Sequence, residues 1–146
     1  MASVPLSTLH TRVATRVATV SGYVEALWPL DPSGSAESVA DKAFAVELEP
    51  RVERLTREQD GELALVDTDV VIRFLRVVSP LDQITTLKAG YDDAHSIVQA
   101  LMAQQAQAWN DGLRVRYTAG PAVERLAGGD YLLYTLRFNI RHHLTF

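Results

Sequence analysis

From Tyr131 to Phe146 apolar and polar side chains alternate almost without a fault. Leu132, Tyr134, Leu136, Phe138, Ile140, Leu144 and Phe146 fall on one side, and Thr135, Arg137, Asn139, Arg141 and His143 on the other. Successive side chains of a strand point to opposite faces, so this spacing predicts one long strand with a buried and a wet face. The chain is expected to end inside its own sheet and not in a tail. No catalytic motif of comparable clarity occurs elsewhere, so function has to be read from architecture.

The 146 residues suit a single domain, and a domain of this size buries roughly 68 to 70% of the surface its unfolded chain exposes. A content of 47% apolar and 22% charged residues is ordinary for a folded globular protein. The net charge of -4 lacks the positive field on which non-specific nucleic-acid binding draws. With no cysteine there can be no disulfide, thiol nucleophile or thiolate metal site. Met1 to Ser7 lacks the basic and apolar regions of a secretion signal, and no stretch approaches the roughly 20 apolar residues of a membrane span.

Leu6, Leu9, Val13, Val17, Val20, Val24 and Leu27 recur at spacings of three and four, which predicts an amphipathic first helix capped by Ser3 or Ser7 and stopped before Pro29. Its valines and threonines have poor helix propensity, so it has to pack its stripe on a sheet. The segment Asp31 to Asp41 (DPSGSAESVAD) collects turn residues and predicts a loop. Phe44, Val46 and Leu48 then alternate with Ala45, Glu47 and Glu49 as a strand that Pro50 bends or confines to an edge. The polar run Thr56 to Glu62, with Asp60-Gly61, predicts a hairpin leading into a strand from Leu63 to Val78.

Ser79-Pro80 ends that strand, and Asp82 is placed to cap a helix whose apolar positions Leu87, Tyr91, Ala94, Val98 and Leu101 carry it to about Trp109. Leu113, Val115 and Tyr117 open a third strand, and residues 127–130 turn into the terminal one. The predicted class is α+β, in the order α-β-β-α-β-β, with a mainly antiparallel sheet and both helices on one face. Leu65 to Val78 has apolar residues in both registers, which suggests a strand covered on both faces, the second cover being another subunit.

His142 and His143 are strand neighbours that point to opposite faces, a poor arrangement for one metal ion, and His10 and His95 lie in different helices without HExxH spacing. These four read as structural or surface residues. Asp92-Asp93 and Asp67, Thr68, Asp69 lack the ligand series of a calcium loop and read as solvated acidic clusters. Gly128-Gly129 sits between strands and not in a phosphate cradle. Trp109 continues an apolar stripe and reads as a core or subunit anchor. Arg114, Arg116, Arg137 and Arg141 could bind phosphate; Glu47, Glu49 and Glu53 favour instead carboxylate pairing at an interface.

The whole pattern resembles the tail terminator proteins of long-tailed bacteriophages and gene-transfer particles. The likeness runs from the N-terminal helix (PLSTLHTRVATRV) through the hairpin around TREQDGE and the long helix (DDAHSIVQALMAQQ) to the closing strand (YLLYTLRFNIRHHLTF). The loop at Asp31 to Asp41 is a departure whose length has no clear place in the family. The resemblance implies a structural virion protein without catalytic, cofactor or metal site, assembled in the host cytoplasm. It would form a homohexameric ring at the head-proximal end of the tail tube, end tube polymerisation and join the tail to the head connector. Its partners would be further copies, the tail-tube protein and the head-tail connector, with no membrane, and DNA would cross the lumen without specific binding. Arg57, Glu58, Gln59 and Asp60 at the hairpin, with Arg73, Arg76, Arg137 and Arg141, are the candidate contact residues. Two alternatives are another neck or tail completion protein of the same particles and a small-molecule-binding or enzymatic α+β domain.

Overall fold

The computed structural model describes residues 3–26, 41–58, 61–102, 113–126 and 129–145, with backbone alone at 54–58, 61–63 and 145. Its elements are α1 (Leu6–Val17), β1 (Val24–Glu25), β2 (Ala43–Glu58), β3 (Gly61–Val77), α2 (Gln83–Met102), β4 (Arg114–Leu126) and β5 (Tyr131–Thr145). The fold is α+β: two helices and a five-stranded sheet in the order β1-β2-β3-β5-β4, antiparallel except for the short β1–β2 pair. The expected order holds, with β1 added before β2.

The register explains the division between core and open face. Phe44, Phe74 and Tyr134 lie side by side in one row across β2, β3 and β5, as do Val46, Ile72 and Leu136 in the next. All of these point to the helices and are buried. Phe74 stacks on Tyr134 at 4.8 Å between ring centroids and receives the Tyr23 ring edge-on at 5.4 Å. Such aromatic pairs add about 0.5 to 1.5 kcal/mol each beyond the area they bury. Leu9, Val13 and Val17 of α1 and Ala94, Ile97 and Leu101 of α2 close the same core. β5 carries its alternation as expected, with Leu132, Tyr134, Leu136, Phe138 and Ile140 all facing inward.

The first helix is shorter than its apolar stripe. It ends at Val17, and Val20 packs on the core from the following turn. Gly22 then takes a φ of +82°, which reverses the chain, and Val24 emerges into β1 at 69% exposure while Tyr23 turns inward. The amides of Val24 and Ala26 are taken up by the carbonyls of Lys42 and Phe44, so a parallel sheet contact outcompetes weak helix propensity. Neither serine caps the start: Pro5 occupies the N-cap position without a side-chain hydrogen bond. Asp82 does cap α2, where its Oδ1 accepts from the Thr85 amide at 3.0 Å. The Thr85 hydroxyl donates to Asp82 Oδ2 as well, and this bond together with that of the amide holds the Asp82 carboxyl below its ordinary pKa. Residues 31–40, and Trp109 with the expected last turns of α2, lie outside the described residues.

α2 lies close against the sheet at Gly90. A Cβ there would lie 2.0 Å from Tyr134 Cζ and 2.1 Å from its hydroxyl oxygen. The Tyr134 hydroxyl donates to the Leu87 carbonyl at 2.9 Å, so the ring is tied to the helix and has no free swing. Burial pushes the pKa of this phenol up to about 12. Gly90→Ala is expected to destabilise the fold by at least about 1 to 3 kcal/mol through overpacking, despite alanine's better helix propensity. A urea melt in which the variant equals or exceeds the parent would show that α2 can lift off Tyr134 at no cost.

The far face of the sheet is less apolar than the sequence suggests for a strand in need of a second cover. Ala45, Leu75 and Leu133 form a small cluster there with Ala26, Leu126 and Tyr131, and Leu75 is 3% exposed. Val71 is also buried within the chain. Of the large apolar residues in this register of β3, Val77 remains exposed, at 44%.

Candidate functional site

The far face is a charged surface laid out by the strand register. Along it, successive rows read Glu47, Val71, Arg137, then Glu49, Asp69, Asn139, Arg116, then Arg51, Asp67, Arg141, Arg114. On β2 and β3 the carboxylates Glu47, Glu49, Asp67 and Asp69 stand with Arg51 and Arg73 among them, while β4 and β5 carry Arg114, Arg116, Arg137 and Arg141 and, on β4, Glu124. Where the two halves meet they pair. Arg141 Nε and Nη2 donate to the two Asp67 oxygens at 3.0 and 3.2 Å, a bidentate fork. That contact holds the Asp67 carboxyl below its ordinary pKa against the opposing effect of burial, and a side-chain hydrogen bond with Glu53 and the nearby charge of Arg116 act in the same direction. Asp69 accepts from Asn139 Nδ2 at 3.1 Å and pairs with Arg51 at 3.2 Å. Arg73 pairs with Glu47 at 2.5 Å.

Of the expected contact residues, then, Arg73, Arg137 and Arg141 share this face. Arg137 is exposed and makes no ion pair among the described residues. Arg57 and Glu58 lie at the end of β2, opposite Glu62 and Gly61, with their side chains outside the description; Gln59 and Asp60 fall outside the described residues altogether. Asp67 and Asp69 are not a solvated acidic cluster, because both are engaged by cross-strand partners, and Thr68 between them faces the core.

Arg76 belongs elsewhere. It shares the inward register of Phe74, and its side chain is 16% exposed. Its Nη1 donates to Asp93 Oδ2, and its Nε lies 3.4 Å from Asp41 Oδ1 without hydrogen-bond geometry. Tyr23 donates its hydroxyl to the same Asp93 oxygen at 2.6 Å. Burial, reinforced by Asp93, raises the Tyr23 pKa well above that of an ordinary phenol. These bonds fasten α2 to β3, so Arg76 is a structural ion-pair partner and not a contact residue on an exposed surface. Asp93 is correspondingly half-buried, in contrast to its exposed neighbour Asp92.

Above this group opens a cleft of about 510 Å³ lined by Thr19, Val20, Ser21, Lys42, Asp93, Ser96, Gln99 and Ala100. Lys42 has a φ of +61° and lays its side chain over Gly22, donating to the Ser21 carbonyl at 3.3 Å. The expected pattern of histidines is partly visible too. His142 is 2% exposed and holds the chain start to the sheet: its Nδ1 donates to the Val4 carbonyl at 3.1 Å, leaving Nε2 to accept from Thr68 Oγ1 at 2.5 Å. Desolvation lowers its pKa, which favours the neutral ring that this bonding requires. His10 donates to the Val46 carbonyl at 2.9 Å. Among the described residues no three His, Asp or Glu side chains converge as a metal-binding group, and no helix is long and apolar enough to cross a membrane. The chain matches no protein-family model, and no curated protein is similar to it in sequence.

Proposed function

We propose that this chain is a structural subunit of a phage or gene-transfer-particle tail, forming a ring at the head-proximal end of the tail tube that ends tube growth and joins the head connector. The observation that carries this reading is the open sheet with two unlike outer strands. Among the described residues β1 pairs with β2 along Ala43 and Phe44 only, and β4 has no strand on its outer side. A subunit whose described sheet has two different outer edges is suited to heterologous association, which closes into a ring when the rotation between neighbours permits. The resemblance of the element order to tail terminators supplies the biological setting, and six copies is the stoichiometry it implies.

The β2–β3 hairpin supports an axial contact. β5 accompanies β3 as far as Leu63, opposite Thr145, and Leu63 is itself paired with Thr56. Among the described residues, Arg57 and Glu58 pair with Glu62 and Gly61 alone, so this end of the β2–β3 pair is two-stranded and extends beyond the three-stranded part of the sheet. Replacing residues 56–62 by a short Asn-Gly turn is expected to leave the circular dichroism spectrum and melting cooperativity unchanged while weakening attachment to tail-tube or connector protein. Mixing the purified chain with tail-tube protein and measuring tube lengths by electron microscopy tests both statements. Tubes that grow without a length limit or terminal density in the presence of the parent chain would defeat the reading; equal capping by the shortened hairpin would remove that hairpin from the contact.

The cleft beside Asp93 favours a second reading, a small-molecule-binding domain with its pocket between helix and sheet. A ligand-induced rise in melting temperature, lost in a variant carrying Lys42→Ala, would support it over the ring.

A further inference from the structure

We propose that the far face of β4 and β5 is a docking surface for an extended acidic segment of a partner protein, whose carboxylates pair with Arg114, Arg116 and Arg137. Such a contact is made by side chains standing on the sheet and needs no free strand edge. It goes beyond the ring reading and does not depend on it.

Arg116 is the centre of the cluster. Arg114 stands two residues before it on the same face of β4, at roughly 7 Å. Arg116 is opposite Asn139, so Arg137 and Arg141 are its diagonal neighbours on β5, each at roughly 7 to 8 Å. Arg114 lies directly opposite Arg141, a like-charged cross-strand pair that works against folding. Arg141 is relieved by its bidentate contact with Asp67, and Arg116 adds to the field at Asp67 without displacing that fork. Arg137 has Val71 on one side and Ala119 on the other, and neither side chain can pair with it. Arg114, Arg116 and Arg137 are exposed and make no ion pair among the described residues.

The carboxylates of the same face do not neutralise them. Glu47 is paired with Arg73, Asp69 with Arg51 and the Asn139 amide, and Asp67 with Arg141, while Glu53 is hydrogen-bonded to Asp67. Glu49 and Glu124 are exposed and make no ion pair among the described residues. Glu49 stands at the other end of the Arg116 row, three strand spacings or roughly 14 Å away. Glu124 is opposite Leu133, four residues along β5 from Arg137, or roughly 13 Å. His143, two residues beyond Arg141, is half-buried at the margin. Three arginine charges are thus left over at one corner of a chain whose net charge is -4.

The spacing suits an extended peptide. Alternate residues of such a chain project to one side at roughly 7 Å, the interval between Arg114 and Arg116, and each carboxylate can take a guanidinium fork. Nucleic acid suits the surface less well. Its phosphates continue beyond the cluster and would meet Glu49 and Asp69 on one side and Glu124 on the other, and the negative chain offers no long-range attraction. A short acidic segment fits between these carboxylates, with its charges setting register and partner more than strength.

The test is fluorescence anisotropy of a short labelled peptide alternating glutamate and alanine, titrated with the full chain at low ionic strength. The parent is expected to bind it and to ignore the same peptide with glutamine in place of glutamate. A variant carrying Arg114→Gln, Arg116→Gln and Arg137→Gln is expected to bind about tenfold or more weakly. Arg125→Gln, exposed and opposite the core residue Leu132 on the helix side of β4, is expected to bind as the parent does. None of the three cluster arginines holds a partner in the fold, so circular dichroism and melting temperature should stay at or slightly above the parent values. A parent that does not bind the peptide, a three-site variant that binds it equally well, or an equal loss in Arg125→Gln overturns the proposal. So does tighter binding of labelled single-stranded or duplex DNA than of the peptide, lost in the three-site variant, which would assign the cluster to phosphates. Peptide binding by a chain that does not cap tubes would refute the tail function and leave this surface standing; capping by a chain that does not bind the peptide would do the opposite.

Discussion

Phe138→Ala is expected to remove about 3 to 5 kcal/mol of folding free energy, a large part of what a domain of this size holds in total. Phe138 is 1% exposed, lies between Val70 of β3 and Tyr117 of β4 in the register, and has its ring 5.3 Å from that of Tyr117. The sheet on both sides of it is fixed by backbone pairing, so the space left by a benzyl group cannot close by local collapse. The residue before it gives the control. Arg137 faces the open side and is exposed, and Arg137→Ala is expected to change stability by no more than about 0.5 kcal/mol. Urea melts of the two variants, compared at equal m-values, test the register of β5 directly. A loss below about 1 kcal/mol for Phe138→Ala would show that the inward face has been assigned to the wrong side.

That pair of neighbours also shows why some of the fold could be read from the sequence. β5 alternates because its two faces meet different solvents, a helix-covered core and an open charged surface, and a period of two records the difference residue by residue. β3 has apolar side chains in both registers, and the sequence alone cannot tell a surface awaiting a partner from one filled by the chain itself. Here Leu75 and Val71 are buried within the subunit, so much of the surplus closes internally. The first helix misleads for another reason. Its stripe of threes and fours continues beyond Val17, but the periodicity carries no information about Gly22, whose positive φ turns the chain toward β1. Tyr23 rather than Val24 then reaches the core.

The charged groups divide in a similar way. Arg141 and Arg137 were legible as members of one face, because alternate strand residues must share it. Their partners were not, since the pairing of Arg141 with Asp67 depends on the β3–β5 register, which no local pattern encodes. Arg76 carried a signal that could have been used. It stands in the inward register after Thr68, Val70, Ile72 and Phe74, and a guanidinium on a core-facing position calls for a carboxylate facing it. Asp93 is that carboxylate, next to the buried Ala94 on α2. The sequence places Asp93 beside Asp92 and so suggests a solvated pair, whereas consecutive helix residues point roughly 100° apart, which is enough to bury one and expose the other.

Arg76→Met should therefore be the most damaging change among the charged residues, costing about 3 kcal/mol. The value lies at the low end for loss of one partner from a buried pair because the Arg76 and Asp93 side chains keep 16% and 20% of their surface exposed. The loss comes less from the missing attraction than from what stays behind. Asp93 would face the core margin with Tyr23 as its remaining partner, and Asp41 would lose the cation that lies 3.4 Å away. It follows that removing both partners should be milder than removing one. A variant combining Arg76→Met with Asp93→Leu is expected to regain more than half of the loss, and a double-mutant cycle on urea melts gives the coupling directly. Native-state hydrogen exchange adds the spatial part, because the pair fastens α2 to β3: amides of α2 should lose more protection in Arg76→Met than those of β5. Additive effects of the two changes, or a single-variant loss below about 1 kcal/mol, would mean that solvent reaches Asp93 freely and that α2 is held to the sheet by its apolar contacts and the Tyr134–Leu87 bond without help from the ion pair.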